Sequence, residues 1–118
     1  MKRIVFDLDD TICFPNHSKT TTFEKYALAI PSIPVIEGIV KLKSQGYYII
    51  IHSARRMLTH NGNLEAILKD VQQVTVDWLE RHGVPYDELI FGKPYADTYY
   101  VDDKAMTIES FLKWTSST

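Results

Sequence analysis

The sequence predicts an α/β fold of the three-layer, Rossmann-like type, with a mostly parallel sheet and helices on both faces. Short apolar runs alternate along the sequence with stretches of helical periodicity, which indicates alternating strands and helices. Because crossovers between parallel strands are right-handed, these helices are expected on both faces of the sheet. A chain of 118 residues can bury roughly two-thirds of its unfolded surface, which suffices for one core. We therefore expect a single domain over residues 1–118.

The first third of the chain is predicted to contain one strand and two helices. Residues 4–6 are a buried strand, because this short apolar run ends directly at acidic residues. Residues 8–33 are mostly loop, with a flap over about 13–33 and a short helix over 23–30. Apolar residues then recur at helical spacing over 35–42.

The rest of the chain alternates in the same way. Residues 47–51 are aromatic and β-branched, which favours a second buried strand. A long amphipathic helix is predicted over 64–79, and residues 88–91 and 98–101 are two further short strands. A final helix begins after Thr107, whose hydroxyl is a suitable N-terminal cap.

Composition excludes several classes of protein. The 13 basic and 15 acidic residues give a net charge of −2, which argues against a protein that coats nucleic acid or an anionic membrane. The single cysteine, Cys13, leaves no internal disulfide framework. No apolar run approaches the ~20 residues of a membrane span, and Asp7 interrupts the N-terminal apolar run too early for a signal peptide. We expect a cytoplasmic protein without a membrane partner.

Chemically active side chains follow each predicted strand. They are Asp7 and Asp9 after the first strand, Ser53 after the second, Lys93 near the third, and Asp102 and Asp103 after the fourth. In open parallel sheets, ligands bind outside the carboxyl ends of the strands. We therefore expect one site along this edge of the sheet.

These types of side chain are suited to phosphoryl transfer. A carboxylate can attack phosphorus and form an aspartyl-phosphate, and a second carboxyl group can protonate the leaving oxygen and later deprotonate water. Mg²⁺, which prefers carboxylate ligands, can offset the charge of the phosphate. A hydroxyl and an amine can hold the phosphate oxygens.

Two arginines, Arg55 and Arg56, follow Ser53 by two and three residues. Cations at this position can hold the phosphate of a substrate or a second anionic group. We therefore predict that both bind substrate.

Four segments resemble, in order, the four motifs of the haloacid dehalogenase-like (HAD) superfamily of phosphotransferases. They are FDLDDT at residues 6–11, IIIHS at 49–53, GKP at 92–94 and YVDD at 100–103. Asp10 stands where many members carry glycine. The resemblance covers nearly the whole chain and implies a HAD-like fold and a Mg²⁺-dependent phosphatase.

The resemblance also implies a role for each matching residue. Asp7 is the nucleophile, Asp9 is the general acid and base, Thr11 supports the loop at the substrate, and Ser53 and Lys93 hold the phosphoryl group. The implied ligands of Mg²⁺ are Asp7, the backbone carbonyl of Asp9, Asp102 and, through water or by orienting a ligand, Asp103.

A finer resemblance concerns residues 53–57, 78–79 and 83–88. These runs are similar to very short HAD members that lack a cap domain and are associated with capsular polysaccharide biosynthesis. The loops over 8–33 and 53–63 are too short for a cap domain. An open site of this kind admits a bulky phosphorylated substrate or is closed by a neighbouring subunit of a homo-oligomer. The implied substrate is a sugar phosphate or a glycan-biosynthesis intermediate.

Three alternatives stay open. A nucleic-acid end phosphatase would use the same chemistry, although the chain lacks the basic stripe that would make nucleic acid an expected partner. A phospho-receiver signalling domain also carries paired acids after its first strand, but it needs an acceptor aspartate at a mid-chain strand end, where this chain has Ser53. A non-catalytic binding module is hard to reconcile with so complete a set of reactive residues.

Overall fold

Strands and helices alternate along the computed structural model, which describes residues 2–117. In chain order they are β1 (Arg3–Asp7), β2 (Cys13–Phe14), α1 (Thr22–Ala27), β3 (Ile30–Pro31), α2 (Ile33–Ser44), β4 (Tyr48–Ser53), α3 (Leu64–Arg81), β5 (Glu88–Phe91) and α4 (Ile108–Ser116).

The main sheet has three parallel strands in the order β1-β4-β5. The register sets Asp7 opposite His52, and Ser53 opposite Phe91, so the carboxyl ends of the three strands lie at one edge. This α/β fold, with a parallel sheet flanked by helices, confirms the predicted fold class. The site residues after the first two strands are therefore brought together by strand pairing alone.

One face of the sheet forms the core. Phe6, Ile49 and Ile51 are buried in one cluster with apolar residues of α2, α3 and α4. Trp78 of α3 is 1% exposed, and its indole N–H donates a hydrogen bond to the carbonyl of Ala29 at 3.0 Å. Fully burying apolar side chains of this size contributes about 1.5–3 kcal/mol each. The core therefore holds the helices under the strands that carry the site.

The cap predicted at Thr107 is present, and α3 has a side-chain cap that the sequence analysis did not identify. Asn63 caps α3 by accepting a hydrogen bond from the backbone N–H of Ala66, and Thr107 caps α4 in the same way. Gly46, which follows α2, has a φ of +90°, a conformation that glycine adopts without strain. Within the described part of the chain, no helix combines the length and the apolar character needed to cross a membrane.

Two local predictions differ from the structure. Residues 98–101, predicted as a strand, lie in a loop in which Tyr99 is 85% and Val101 is 98% exposed. Aromatic and β-branched residues favour a strand chiefly when their side chains pack on a neighbour, and these side chains do not. The flap region, predicted as mostly loop, contains the antiparallel pair β2 and β3, whose strands of two residues are too short for a periodicity.

Candidate active site

A cleft of about 340 Å³ lies at the carboxyl edge of the sheet. Its lining combines carboxylates from the loop after β1, residues of the loop after β4, and side chains of α1 and of the loop after β5. The lining residues are Asp7, Asp9, Asp10, Lys25, Tyr26, Ala54, Arg55, Arg56, Met57, Leu58, Thr59, Tyr95, Ala96 and Tyr100.

Asp7 and Lys93 form an ion pair at this cleft. Asp7 is the last residue of β1, and its side chain is 39% exposed. The Nζ of Lys93 lies 3.3 Å from its Oδ1 and 4.2 Å from the centre of the Tyr100 ring. The backbone N–H of Lys93 donates to the carbonyl of Ser53 at 3.1 Å, which ties the loop after β5 to the end of β4. A cation is thus held beside a partly exposed carboxylate at the strand edge.

Asp9 is engaged by a buried arginine. The Nε of Arg55 donates to both carboxylate oxygens of Asp9, at 3.1 and 3.0 Å, and Nη2 donates to Oδ1 at 2.8 Å. Burial alone would lower the pKa of Arg55, but the hydrogen bonds and charge of Asp9 outweigh it and raise this pKa. Arg55 was predicted to bind substrate; its guanidinium, with a side chain only 1% exposed, is instead bound to Asp9.

The loop between Asp7 and Cys13 turns sharply. The carbonyl of Leu8 accepts the backbone N–H of Ile12 at 2.8 Å and that of Thr11 at 3.3 Å. Asp10 has a φ of 65°, which is uncommon for a residue with a side chain, and it lines the cleft. Thr11 does not line the cleft, so the structure connects it to the turn rather than to the cavity.

Ser53 is buried at the end of β4, with 1% of its surface exposed. Its hydroxyl oxygen accepts the backbone N–H of Arg55 at 3.0 Å. This bond shapes the turn that directs the side chain of Arg55 towards Asp9. Ser53 lies outside the set of residues that line the cleft, although it sits at the same strand edge.

Arg56 and His60 hold the loop after β4 against α3. The Nε of Arg56 donates to Asp70 at 2.8 Å, and the Nε2 of His60 lies 2.7 Å from the same oxygen. Burial alone would raise the pKa of Asp70, but these hydrogen bonds outweigh it and lower this pKa. Arg56 still lines the cleft, so its predicted contact with substrate is compatible with this anchor.

The predicted metal ligands do not form one group in this structure. Asp102 and Asp103 are exposed on the loop that replaces the predicted fourth strand, and neither lines the cleft. A hydrogen bond from the backbone N–H of Lys104, 2.9 Å long, lowers the pKa of Asp102. Among residues 2–117, no three histidine, cysteine or acidic side chains are placed to hold a metal ion. The arrangement therefore does not fit a Mg²⁺ ion on the predicted ligands.

The cleft residues that escaped the sequence analysis include Lys25 and Tyr26 of α1 and Tyr95 of the loop after β5, and Tyr100 lies in the YVDD segment without a predicted role. The hydroxyl of Tyr100 donates to the carbonyl of Pro94 at 2.5 Å, which folds this loop back over Lys93. Lys25, Tyr26 and Tyr95 belong to none of the four motif segments. Only the proximity of Tyr95 to Lys93 along the chain could have pointed to it.

Cys13 and His52 lie beside the site but outside the cleft lining. Burial, more than the nearby charge of Asp9, raises the pKa of the Cys13 thiol to about 12, so the thiolate is absent at neutral pH. Burial, followed by the charge of Lys93, lowers the pKa of His52. The carboxylates that do line the cleft are those of Asp7, Asp9 and Asp10.

The chain is similar to three solved structures. It is 32% identical to a crystallised MCSG target from Vibrio cholerae, over 99% of this chain and 95% of that chain, with a TM-score of 0.83. A structure of the Pnkp1/Rnl/Hen1 complex is 22% identical over 86% of this chain and 30% of that chain, with a TM-score of 0.59. A structure of the Pnkp1/Rnl/Hen1 RNA repair complex is 20% identical over 96% and 30%, with a TM-score of 0.56.

The two complexes share the α/β fold of this chain over about a third of their matched chain. No model of a protein family and no curated protein matches the chain.

Proposed function

Because the chain belongs to the family of the Vibrio cholerae protein and has a HAD-like α/β fold, we propose that it is a phosphatase of phosphate monoesters. One observation carries this proposal: the exposed carboxylate of Asp7 lies 3.3 Å from the Nζ of Lys93, at a cleft that Asp9 also lines. Two carboxylates thus line one cavity, and Lys93, which lies outside the lining itself, brings a cation beside one of them.

The proposed reaction has two steps. In the first, a carboxylate oxygen of Asp7 attacks phosphorus, the bond from phosphorus to the ester oxygen breaks, and Asp9 gives its proton to that oxygen. In the second, water attacks the aspartyl-phosphate, Asp9 takes a proton from this water, and the bond between phosphorus and Asp7 breaks. The ammonium of Lys93 stabilises the charge that builds on the phosphoryl oxygens in both steps.

Ser53 has a supporting part in this proposal. Its hydroxyl oxygen already accepts the N–H of Arg55, and the hydroxyl proton can be donated to a phosphoryl oxygen that reaches the strand edge. We expect a smaller loss of activity on removing this hydroxyl than on removing the carboxylate of Asp7.

The Mg²⁺ implied by the resemblance is a separate proposal. Bound beside the phosphate, it would supply positive charge there. Asp7 and Asp9 line the cleft but Asp102 and Asp103 do not, so the proposal requires the loop over 92–107 to bring Asp102 and Asp103 towards Asp7. The two steps above are written with the chain's own residues and do not depend on it.

For the substrate, we propose a phosphorylated sugar or glycan-biosynthesis intermediate. A cleft of about 340 Å³ has room for a small phosphorylated molecule, and its mixed lining offers hydroxyl, cationic and aromatic contacts to the organic part. The cytoplasmic location and the closure of the site by a second subunit are further proposals that accompany this one.

The test measures phosphate release from a panel of phosphorylated sugars, 3′-phosphorylated oligonucleotides and p-nitrophenyl phosphate, with and without Mg²⁺. We expect Asp7→Asn to abolish turnover while its circular dichroism spectrum and its unfolding midpoint stay those of the wild type. A ³²P-labelled substrate should leave label on the wild-type protein after rapid acid quenching, and none on the variant.

Full activity of Asp7→Asn would exclude Asp7 as the nucleophile. Release of phosphate from oligonucleotides alone would instead support the end-phosphatase alternative on the same chemistry. Lys93→Ala should lower turnover, because it removes the cation beside Asp7. Lys43→Ala is its matched control, because Lys43 also pairs with an aspartate, Asp87, but that aspartate accepts the backbone N–H of Ile49 near the start of β4, away from the carboxyl edge.

A further inference from the structure

Arg55 is held on three sides by different elements. Its Nη1 donates to the hydroxyl oxygen of Thr75 on α3 at 2.8 Å, and its guanidinium lies 4.0 Å from the centre of the Tyr26 ring on α1. The third side faces Asp9. Thr75 in turn donates its own proton to the carbonyl of Val71 at 2.7 Å, so each group in this chain of hydrogen bonds has its partner.

The two oxygens of Asp9 are bound unequally. Oδ1 accepts from Nε and Nη2 of Arg55, at 3.1 and 2.8 Å, and from the thiol of Cys13 at 3.5 Å. Among the described residues, Oδ2 accepts only from Nε of Arg55, at 3.0 Å. This N–H is shared, because it also donates to Oδ1. A carboxylate oxygen has room for about two strong donors, so Oδ1 is saturated and Oδ2 has a lone pair to spare.

We propose that Arg55 is the positioning residue of the general acid and base: it fixes Asp9 through Oδ1 and leaves Oδ2 to exchange the proton with the ester oxygen and with water. This inference rests on the proposed phosphatase function and adds a named support for one of its groups. It gives Arg55 a part that differs from binding the substrate's phosphate.

The burial of Arg55 supports positioning over substrate binding. A buried guanidinium is costly unless it is paired, and the bidentate geometry with Asp9 is the arrangement that orients a carboxylate most firmly. Arg56, the next residue, is 24% exposed and pairs with Asp70, away from Asp9. The two neighbouring arginines therefore provide a matched comparison.

The test is a double-mutant cycle on kcat and KM, with an alkyl phosphate ester and with p-nitrophenyl phosphate. An alkoxide needs a proton to leave, whereas p-nitrophenolate does not. General acid–base catalysis contributes typically 10²–10⁴-fold. We expect Arg55→Gln to lower kcat for the alkyl ester by about 10²-fold, within that range, with little change in KM and a much smaller loss with p-nitrophenyl phosphate.

In the Asp9→Asn background, Arg55→Gln should cause no further loss, because Arg55 acts through Asp9. Arg55→Lys should recover part of the activity by keeping one charged donor. Arg56→Gln is the control. Because Arg56 pairs with Asp70 and not with Asp9, the fold-losses in kcat caused by Arg56→Gln and Asp9→Asn should multiply in the double variant.

One further variant keeps the inference falsifiable if Arg55→Gln fails to fold. Thr75→Val removes only the hydroxyl that holds Nη1, and it should lower kcat for the alkyl ester in the same direction but by less, measured at a temperature at which circular dichroism shows the variant to be folded. If Arg55→Gln raised KM and lowered kcat equally for both esters, Arg55 would be a substrate-binding residue and the inference would be overturned. An inactive wild-type protein would instead refute the proposed function.

Discussion

At the scale of single residues, Gly38 sets how closely α2 and α4 approach. A Cβ atom at this position would lie 2.7 Å from Cε2 of Phe111 and 3.1 Å from Oγ1 of Thr115. The Phe111 ring has little room to move, because it packs edge-on against Phe6 at a centroid distance of 5.2 Å.

We therefore expect Gly38→Ala to lower the free energy of unfolding by about 1–3 kcal/mol, the usual cost of overpacking a core. Alanine favours a helix over glycine by about 1 kcal/mol, so helix propensity alone predicts the opposite sign. Urea denaturation measures the change. Val40→Ala, at an exposed position of the same helix, should change stability by little. A variant as stable as the wild type would show that α4 can shift away.

Residue spacing predicts part of the site. Asp7 and Asp9 follow an apolar strand, and strand pairing brings Asp7 to the same edge as His52 and Ser53. The bond from Arg55 to Asp9 joins residues 46 apart and depends on where α1 and α3 dock, which no local pattern encodes. That is why spacing predicts two carboxylates at the strand edge but does not predict the bond between Asp9 and Arg55.

At the scale of elements, Asp70 anchors the loop after β4 to α3 through Arg56 and His60. We expect Asp70→Asn to lower the free energy of unfolding at pH 7 by about 1 kcal/mol, because a partly exposed ion pair contributes at most about this much. Urea denaturation of the two proteins side by side measures it. The same variant should loosen the cleft wall that Arg56 provides.

The pH dependence of this anchor follows from the direction of the pKa shift. Hydrogen bonds from His60 and Arg56 lower the pKa of Asp70 in the folded protein. A lowered folded-state pKa stabilises the fold above the unfolded-state value near 4, and the contribution is lost as the pH falls through the folded-state value. The difference in stability between wild type and Asp70→Asn should therefore shrink below pH 4. A constant difference down to pH 3 would assign the effect to packing.

The secondary-structure elements that could be predicted from sequence are those whose ends are marked by a local interaction, such as a capping side chain. The helices that begin after Asn63 and Thr107 match the sequence prediction, because a side-chain cap is a local interaction. Residues 98–101 have the composition of a strand but pair with none, since pairing depends on a partner elsewhere in the chain.

At the scale of the whole molecule, stability is unevenly distributed between the core and the loop over 92–107. Tyr99 is 85% exposed, whereas Trp78 and Phe111 are 1% and 6% exposed in the core. Exposed loops open at almost no free-energy cost, but core residues become accessible only when the protein unfolds. Limited chymotrypsin digestion should therefore cut first after Tyr99, as mass spectrometry of the fragments would show. Early cuts after Trp78 or Phe111 would contradict this order.

The same digestion tests the metal proposal without relying on activity. If Asp102 and Asp103 join Asp7 around Mg²⁺, the loop over 92–107 becomes tied to the end of β1, and its cleavage should slow several-fold in millimolar MgCl₂. Asp102→Asn should lose this protection, because it removes a ligand carboxylate. Asp97→Asn, which removes an exposed carboxylate from the same loop, should keep it. Cleavage after Tyr99 at one rate with and without Mg²⁺ would mean that the acids of this loop do not bind the metal, and the phosphoryl chemistry would then fall to Asp7, Asp9 and Lys93.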